Sequence, residues 1–283
     1  MDLPERVTSL LRTTVRDVEA LGSAVTGNRW RVRLDDGTTV FVKSRQDAPA
    51  GFFATEAAGL RWLAAAPGGP AVPDVLGHDE ALLVLPWLEQ GPPGPGAAER
   101  LGRGLAALHA AGSDRFGAAH NGWVGAADLD NTPAPTWPEF YARRRVLPYV
   151  RLLRDRGELD TAEAAVFERL GARLPGLAGP PEPPARLHGD LWNGNVLWSA
   201  DGEAWLVDPA AHGGHRETDL AMLDLFGAAG LETVLASYGE VAPLAPGWRT
   251  RTRLHQVHPL LVHAVLFGGA YLQGALAAAR RYV

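Results

Sequence analysis

"LHGDLWNGN", residues 187–195, places two polar side chains, Asp190 and Asn195, five positions apart in a stretch broken by two glycines. Thirteen residues after Asn195, Asp208 closes the apolar run "AWLV" (204–207). Taken singly, "HGD" fits an ordinary turn with a capping Asp, and an Asp at a strand end fits a helix cap. Taken together, two carboxylates and an amide carbonyl are hard oxygen donors of the kind that suit Mg²⁺. A third stretch belongs with them. "TTVFVKSR" (38–45) holds Lys43, the only lysine among 27 cationic residues.

Arginine-rich coding explains why lysine is scarce, but not why one is kept inside an apolar run. An exposed lysine protecting a sheet edge is one reading of it. The downstream Asp, Asn and Asp give another. Phosphoryl transfer from ATP needs a cation on the α- and β-phosphates, hard ligands for a divalent ion, and a carboxylate to take the proton of the attacking hydroxyl. Lys43 suits the phosphates, Asp190 the proton, and Asn195 with Asp208 the metal. A guanidinium is larger, planar and forked, so it does not replace a compact ammonium in a tight site. Glu56, on the helix expected after the Lys43 strand, is the natural partner for Lys43. Strand Lys, then Asp-x₄-Asn, then a metal-binding Asp is the order of parts in protein kinases.

Composition agrees with a globular enzyme. The chain has 283 residues, 46% of them hydrophobic, enough for one large domain or two lobes with real cores. It has no cysteine, which excludes disulfides, thiolate metal sites and a cysteine nucleophile. The formal charge of −5 argues against a general nucleic-acid binder. The start, "MDLPERVTSLLRTTVRDVEAL", carries charges throughout and is no secretory signal, and the longest apolar stretches fall short of a membrane span. The expectation is a cytoplasmic protein with ATP and Mg²⁺ as cofactors, and with neither nucleic acid nor membrane as partner.

Residues 4–21 read as a helix through Val7, Leu10, Leu11, Val15 and Val18, and "LGSAVTGNR" (21–29) as a small-residue stretch feeding the first strand. "WRVRL" (30–34) and "TVFVK" (39–43) alternate about the turn "DDG" (35–37), which predicts a β-hairpin. Helices are expected over 52–65, up to His109 through Leu101, Leu105 and Leu108, over 137–155 and 160–174, and over 251–281, where Pro259 should kink the helix or begin a new one. "ALLVL" (81–85) reads as a buried strand ended by Pro86, and "QGPPGPG" (90–96) as a connector. This is an α+β chain, sheet-rich at first and helix-rich later, with a nucleotide lobe over 1–88 and a catalytic and substrate lobe over 89–283. The nine tryptophans read mostly as core. His212, His215, His255 and His258 lack a carboxylate at zincin spacing and read as structural or pocket histidines.

"LHGDLWNGNVLW", "LVDPAAHGGHRETDLAMLDLFG", "ATEAAGLRWL", "FVK" and "RLHQVHPLLVHAVLFGGAY" together resemble the fructosamine (ketosamine) 3-kinases, in the aminoglycoside-phosphotransferase-like branch of the protein-kinase-like fold. The likeness runs from about residue 10 to the end. It includes "FGAAHNGWVGAADLDNTPAPTWPEFYARRRVLP" (116–148), with Asn121, Gly125, Trp137, Phe140 and Arg144. The resemblance implies a bilobal kinase with Asp190 as base, Asn195 and Asp208 as Mg²⁺ ligands, and Lys43 with Glu56 as the phosphate-positioning pair. At the hinge, Pro86 C=O would accept from the adenine amino group and Leu88 N–H would donate to the ring. The acceptor it implies is a ketoamine phosphorylated at its 3-hydroxyl, either a small glycated amine or a glycated lysine on a protein. Trp192 either sets an aromatic face against the sugar or packs under the catalytic loop. Asp219 reads as an anchor of that loop, and Arg216 and Glu217 as an internal pair.

Two departures stand out. The family's Gly-Gly-Ser/Asp-Ile turn over the phosphates is here "LGSAVTG" (21–27), and its aromatic position after "DPA" is here "AHGGH" (211–215). The alternatives are a phosphotransferase acting on aminoglycosides or another small hydroxyl compound, and a non-catalytic pseudokinase.

Overall fold

The computed structural model describes residues 2–283. Its first element, α1 (Leu3–Leu11), starts on a capping box between Asp2 and Glu5 and stops at Arg12, whose φ of 57° is left-handed. The helix expected to reach residue 21 is therefore corrected. "TTV" (13–15) is β-branched, and the chain runs on as strand β1 (Val15–Ala24). Val15 and Val18 misled because β1 is an exposed edge strand interrupted by register shifts, so its burial never alternates cleanly. The small-residue stretch is correspondingly the β1–β2 hairpin rather than a lead-in.

Strand β2 (Gly27–Leu34), strand β3 (Thr39–Ser44) and the turn between them match the hairpin read from the sequence. Thr38 N–H donates to Asp36 at 2.8 Å and Gly37 takes φ 88°, as an Asp-Gly turn requires. Helix α2 (Phe52–Ala64), strand β4 (Gly77–His78) and strand β5 (Leu82–Pro86) complete an antiparallel sheet ordered β1-β2-β3-β5-β4. Alternation sends Val32, Val40, Val42 and Val84 to the face that packs Val7 of α1. Leu83 and Leu85 go to the opposite face, with Phe53, Ala57 and Leu60 of α2. Lys43 lies directly opposite Leu83, so it shares the α2 face.

Beyond residue 90 the chain is mostly helical. Helix α3 (Ala97–Ala110) leads to a small hairpin of β6 (Gly122–Val124) and β7 (Ala127–Leu129). The helix expected over 137–155 forms as α4 (Trp137–Phe140), a π-helical turn over Tyr141–Val146 and α5 (Leu147–Asp155). Helix α6 (Thr161–Leu177) then delivers the chain to the motif segment. This segment holds β8 (Ala185–Leu187), a 3₁₀ turn over Asn193–Asn195, β9 (Val196–Trp198), β10 (Ala204–Leu206) and β11 (His212–Gly214). Helices α7 (Glu217–Leu225), α8 (Leu231–Val241), α9 (Trp248–Phe267) and α10 (Gly269–Arg280) close the chain. Pro259 neither ends nor begins a helix. It sits inside α9, and the break falls instead at Gly268 with φ 86°. Of the nine tryptophans only Trp137 is buried; seven are half-buried and Trp192 is exposed, so the core comes mainly from aliphatic residues with Phe140, Tyr141 and Phe167. Among the described residues no helix is long and apolar enough to cross a membrane.

Candidate active site

Lys43 is brought onto α2 by the sheet alternation, and Glu56 sits one turn into that helix. Their Nζ and Oε1 atoms are 2.6 Å apart, and Asp208 Oδ1 approaches the same Nζ at 2.6 Å. The lysine is 3% exposed. Leaving such an ammonium unpaired would cost several kcal/mol, which explains why two carboxylates converge on it. Burial alone would pull the Lys43 pKa down, but Asp208 and Glu56 outweigh it and hold it above the usual value. Burial holds Glu56 up despite Lys43, whereas Lys43 keeps Asp208 below the usual carboxylate range.

Asp208 follows β10, where Val207 N–H donates to Asn195 C=O at 3.0 Å. Its own φ is 55°, a left-handed conformation that an Asp tolerates better than most side chains. Asn195 ends the 3₁₀ turn and ties the segment together. Its Nδ2 donates to Asp190 C=O at 2.8 Å, Asp190 Oδ2 at 3.1 Å and Asp208 C=O at 3.4 Å. That leaves Asn195 Oδ1 without a donor among the described residues. The Asp190 carboxyl is pushed up to about 7, first by burial and then by the Asp208 charge, against the Asn195 hydrogen bond. Two carboxylates and a free amide oxygen around one space form a hard-oxygen set, which fits Mg²⁺ by its donor chemistry.

The loop bearing Asp190 is fixed from behind. Asp219, on α7, accepts from His188 N–H at 2.7 Å and Gly189 N–H at 3.0 Å, and so anchors the loop as expected. Gly189 takes φ 83°, and a Cβ there would fall on the Ala210 carbonyl. Arg216 and Glu217 are not an internal pair. Neighbours on a helix point in different directions, so Arg216 forks onto Glu182 at 2.7 and 2.8 Å, and Glu217 accepts from Arg251 at 2.9 Å. His215, Glu217 and His255 cluster away from the cavity that Asp190 faces, and Arg251 occupies both Glu217 oxygens.

Lys43, Glu56, Asp190, Trp192, Asn195 and Asp208 all line one cavity of about 170 Å³. Trp192 both packs on the loop and lines the cavity. Its ring folds over Gly194, where any side chain would collide with it, and meets Phe226 edge-on at 5.9 Å. Pro86 and Leu88 lie outside this cavity. Strand β5 runs through Pro86, one residue further than expected. Arg45 N–H donates to Ala81 C=O and Trp87 N–H to Thr39 C=O. Pro86, opposite Val40, is therefore a non-hydrogen-bonded pair. Its missing N–H is not needed there, and its carbonyl points away from β3.

The sequence reading missed several cavity residues. Arg29 comes from β2, Gly122–Gly125 from the small hairpin, and Val262, His263, Leu266 and Phe267 from the end of α9. Of "AHGGH" only Ala211 reaches the cavity wall, while His212 and His215 are buried behind it.

The comparisons with known proteins agree with this geometry. The family model described as fructosamine kinase matches residues 7–283. A candidate fructosamine-3-kinase from Thermobifida fusca, of known structure, is 52% identical and superimposes with a TM-score of 0.93, covering 99% of this chain and 97% of its own. A candidate ketoamine kinase from Thermus thermophilus is 39% identical over 83% of this chain and 84% of its own. The choline kinase of Streptococcus pneumoniae, at 16% identity, shares the fold alone, with a TM-score of 0.69 over 99% of this chain and 98% of its own. The match across nearly the whole chain, on a protein-kinase-like fold that gathers these side chains into one cavity, places the protein in the fructosamine kinase family.

Proposed function

We propose that the protein transfers the γ-phosphoryl group of ATP to the 3-hydroxyl of a ketoamine. The observation that carries this reading is the convergence of Lys43, Glu56, Asp190, Asn195 and Asp208 on one cavity. Asp190 takes the proton of the acceptor hydroxyl as its oxygen bonds to the γ-phosphorus, while the bond from that phosphorus to the bridging oxygen breaks and ADP leaves. Glu56 keeps the Lys43 ammonium oriented toward the α- and β-phosphates. Asn195 Oδ1 and the Asp208 carboxylate would hold Mg²⁺, which offsets charge on the phosphate oxygens. Asn195 also orients Asp190 through its 3.1 Å hydrogen bond.

We place the division between nucleotide lobe and acceptor lobe at residues 88 and 89. Adenine sits at the hinge, where the Pro86 carbonyl faces away from β3 and Leu88 N–H donates to no protein acceptor among the described residues. Trp192 supports the acceptor sugar with its exposed face. The amine is either small or the side chain of a protein-bound lysine. Phosphate installed beside the ketone makes the adduct prone to eliminate and release the free amine, a deglycation step. The presence of Lys43, Asp190, Asn195 and Asp208 together argues against a pseudokinase.

Purified protein, ATP and Mg²⁺ should phosphorylate fructosyl-, ribulosyl- or erythrulosyl-lysine at O3, read by ³¹P NMR, in preference to kanamycin. Turnover of kanamycin with none of the ketoamines would replace this reading with the aminoglycoside one.

A further inference from the structure

Across the sheet, Gly22, Arg29, Lys43 and Leu83 form one row, since β1 pairs Gly22 with Arg29 and β2 pairs Arg29 with Lys43. Residues directly opposite share a face and lie within about 5.5 Å at Cβ. Two cations so placed repel each other, and Lys43 is offset by Glu56 and Asp208. Arg29 acts on the same two carboxylates from farther away, helping to hold Glu56 and Asp208 down, but makes no direct pair with either. Among the described residues its guanidinium forms no ion pair and donates to no side chain, although it lines the cavity with Asp190, Asn195 and Asp208. Gly22 on its other side bears no side chain to crowd it, and even an added Cβ there would meet nothing within 4 Å.

The turn above this row explains what such a cation could do. Ala24 pairs with Gly27, so only Val25 and Thr26 make the β1–β2 turn. A Cβ on Gly27, which takes φ 125°, would fall on the Ser44 carbonyl, so the turn is pressed down onto β3. A turn this short offers few backbone N–H groups to cradle phosphate oxygens. One ammonium and one divalent ion fall short of the charge of a triphosphate, so a further cation is needed where the phosphates lie.

We infer that Arg29 binds the γ-phosphate of the nucleotide, supplying from a side chain the contact that a glycine-rich turn supplies from its backbone. This rests on the ATP-dependent reading above. A guanidinium also suits the geometry of a transferring phosphoryl group, whose charge spreads over several oxygens.

The experiment is nucleotide binding by calorimetry, with AMP, ADP and ATP each in the presence of Mg²⁺, for the wild type, Arg29→Gln and Arg29→Lys. Arg29→Gln should weaken ATP by about tenfold or more while AMP stays within about twofold, and Arg29→Lys should restore part of the loss. Equal weakening of AMP and ATP would overturn the inference, as would unchanged ATP affinity. If Arg29→Gln fails to fold, the loss of ATP-over-AMP preference is read on Arg29→Lys, whose charge keeps the sheet row intact; an unchanged preference there would overturn it too. Because binding is read without an acceptor, a wrong ketoamine assignment leaves this test standing.

Discussion

Lys43 Nζ and Asp208 Oδ1 are 2.6 Å apart, so the lysine proposed to position the phosphates and a proposed metal ligand neutralise each other in the free protein. Nucleotide and divalent ion entering together would exchange this contact for two others, phosphate on the lysine and metal on the carboxylate. Binding of the two should therefore be mutually dependent. A guanidinium in place of Lys43 keeps the charge but cannot fit between Glu56 and Asp208 at these distances. Lys43→Arg should lose about 10²-fold in kcat/KM with an unchanged fold by circular dichroism, and wild-type kinetics would show that the lysine is incidental.

Chelation tests the carboxylates from the other side. Without a divalent ion, the Asn195 and Asp208 oxygens have no cation to hold against the phosphates. EDTA should abolish transfer in a coupled ADP assay, and added Mg²⁺ should restore it. Asp208→Asn should raise the Mg²⁺ concentration needed for half-maximal rate by about tenfold or more. Transfer that persists in EDTA would contradict the assignment.

The buried histidines set the acid limit of stability. Burial pushes His212 and His215 down to about 3, aided by Arg145 beside His212 and by His255 beside His215. Unfolded, each takes up a proton near the ordinary value of about 6.5. Between those values these two groups bind more protons in the unfolded chain, so their contribution to stability is complete above about pH 6.5 and falls as pH drops toward 3. At pH 5.5 each of the two should cost about 1.4 kcal/mol relative to neutral pH. Histidine-resolved NMR titration of the folded protein checks this directly, because net stability also carries the opposite contribution of Asp190, whose carboxyl is raised to about 7; His212 and His215 imidazoles that protonate near 6.5 would contradict it.

Trp192 is 38% exposed and touches Phe226 and Gly194 at the cavity wall. Removing a ring held this loosely should cost little stability. Trp192→Ala should raise KM for the ketoamine by about tenfold, as expected for a lost stacking face, and leave KM for ATP unchanged. A shift in Tm of many degrees with an unaltered acceptor KM would assign the ring to packing.

Much of this site could be read in the chain itself, because its parts sit in short motifs with fixed spacing. The Asp-Gly turn at 35–37 sets the β2–β3 register. That register also puts Arg29 opposite Lys43, yet Arg29 went unnoticed because residues 21–29 were read as a lead-in rather than as paired strands. Strand β1 was hidden because an exposed, shifted edge shows no alternation and its valines also fit a helix. The α9 contribution was hidden for a different reason: Val262, His263, Leu266 and Phe267 reach the cavity through tertiary packing that spacing does not report. Of the two outcomes expected at Pro259, a new helix start is overturned, because burial of α9 among other helices holds the helix through it.

The most direct measurement is single-turnover transfer by Asp190→Asn, with ATP affinity measured on the same sample. Removing the proposed proton acceptor while keeping the side-chain shape should slow transfer by about 10²- to 10⁴-fold and leave ATP binding within about threefold. Transfer at the wild-type rate would show that Asp190 is not the base and would contradict the account at its centre.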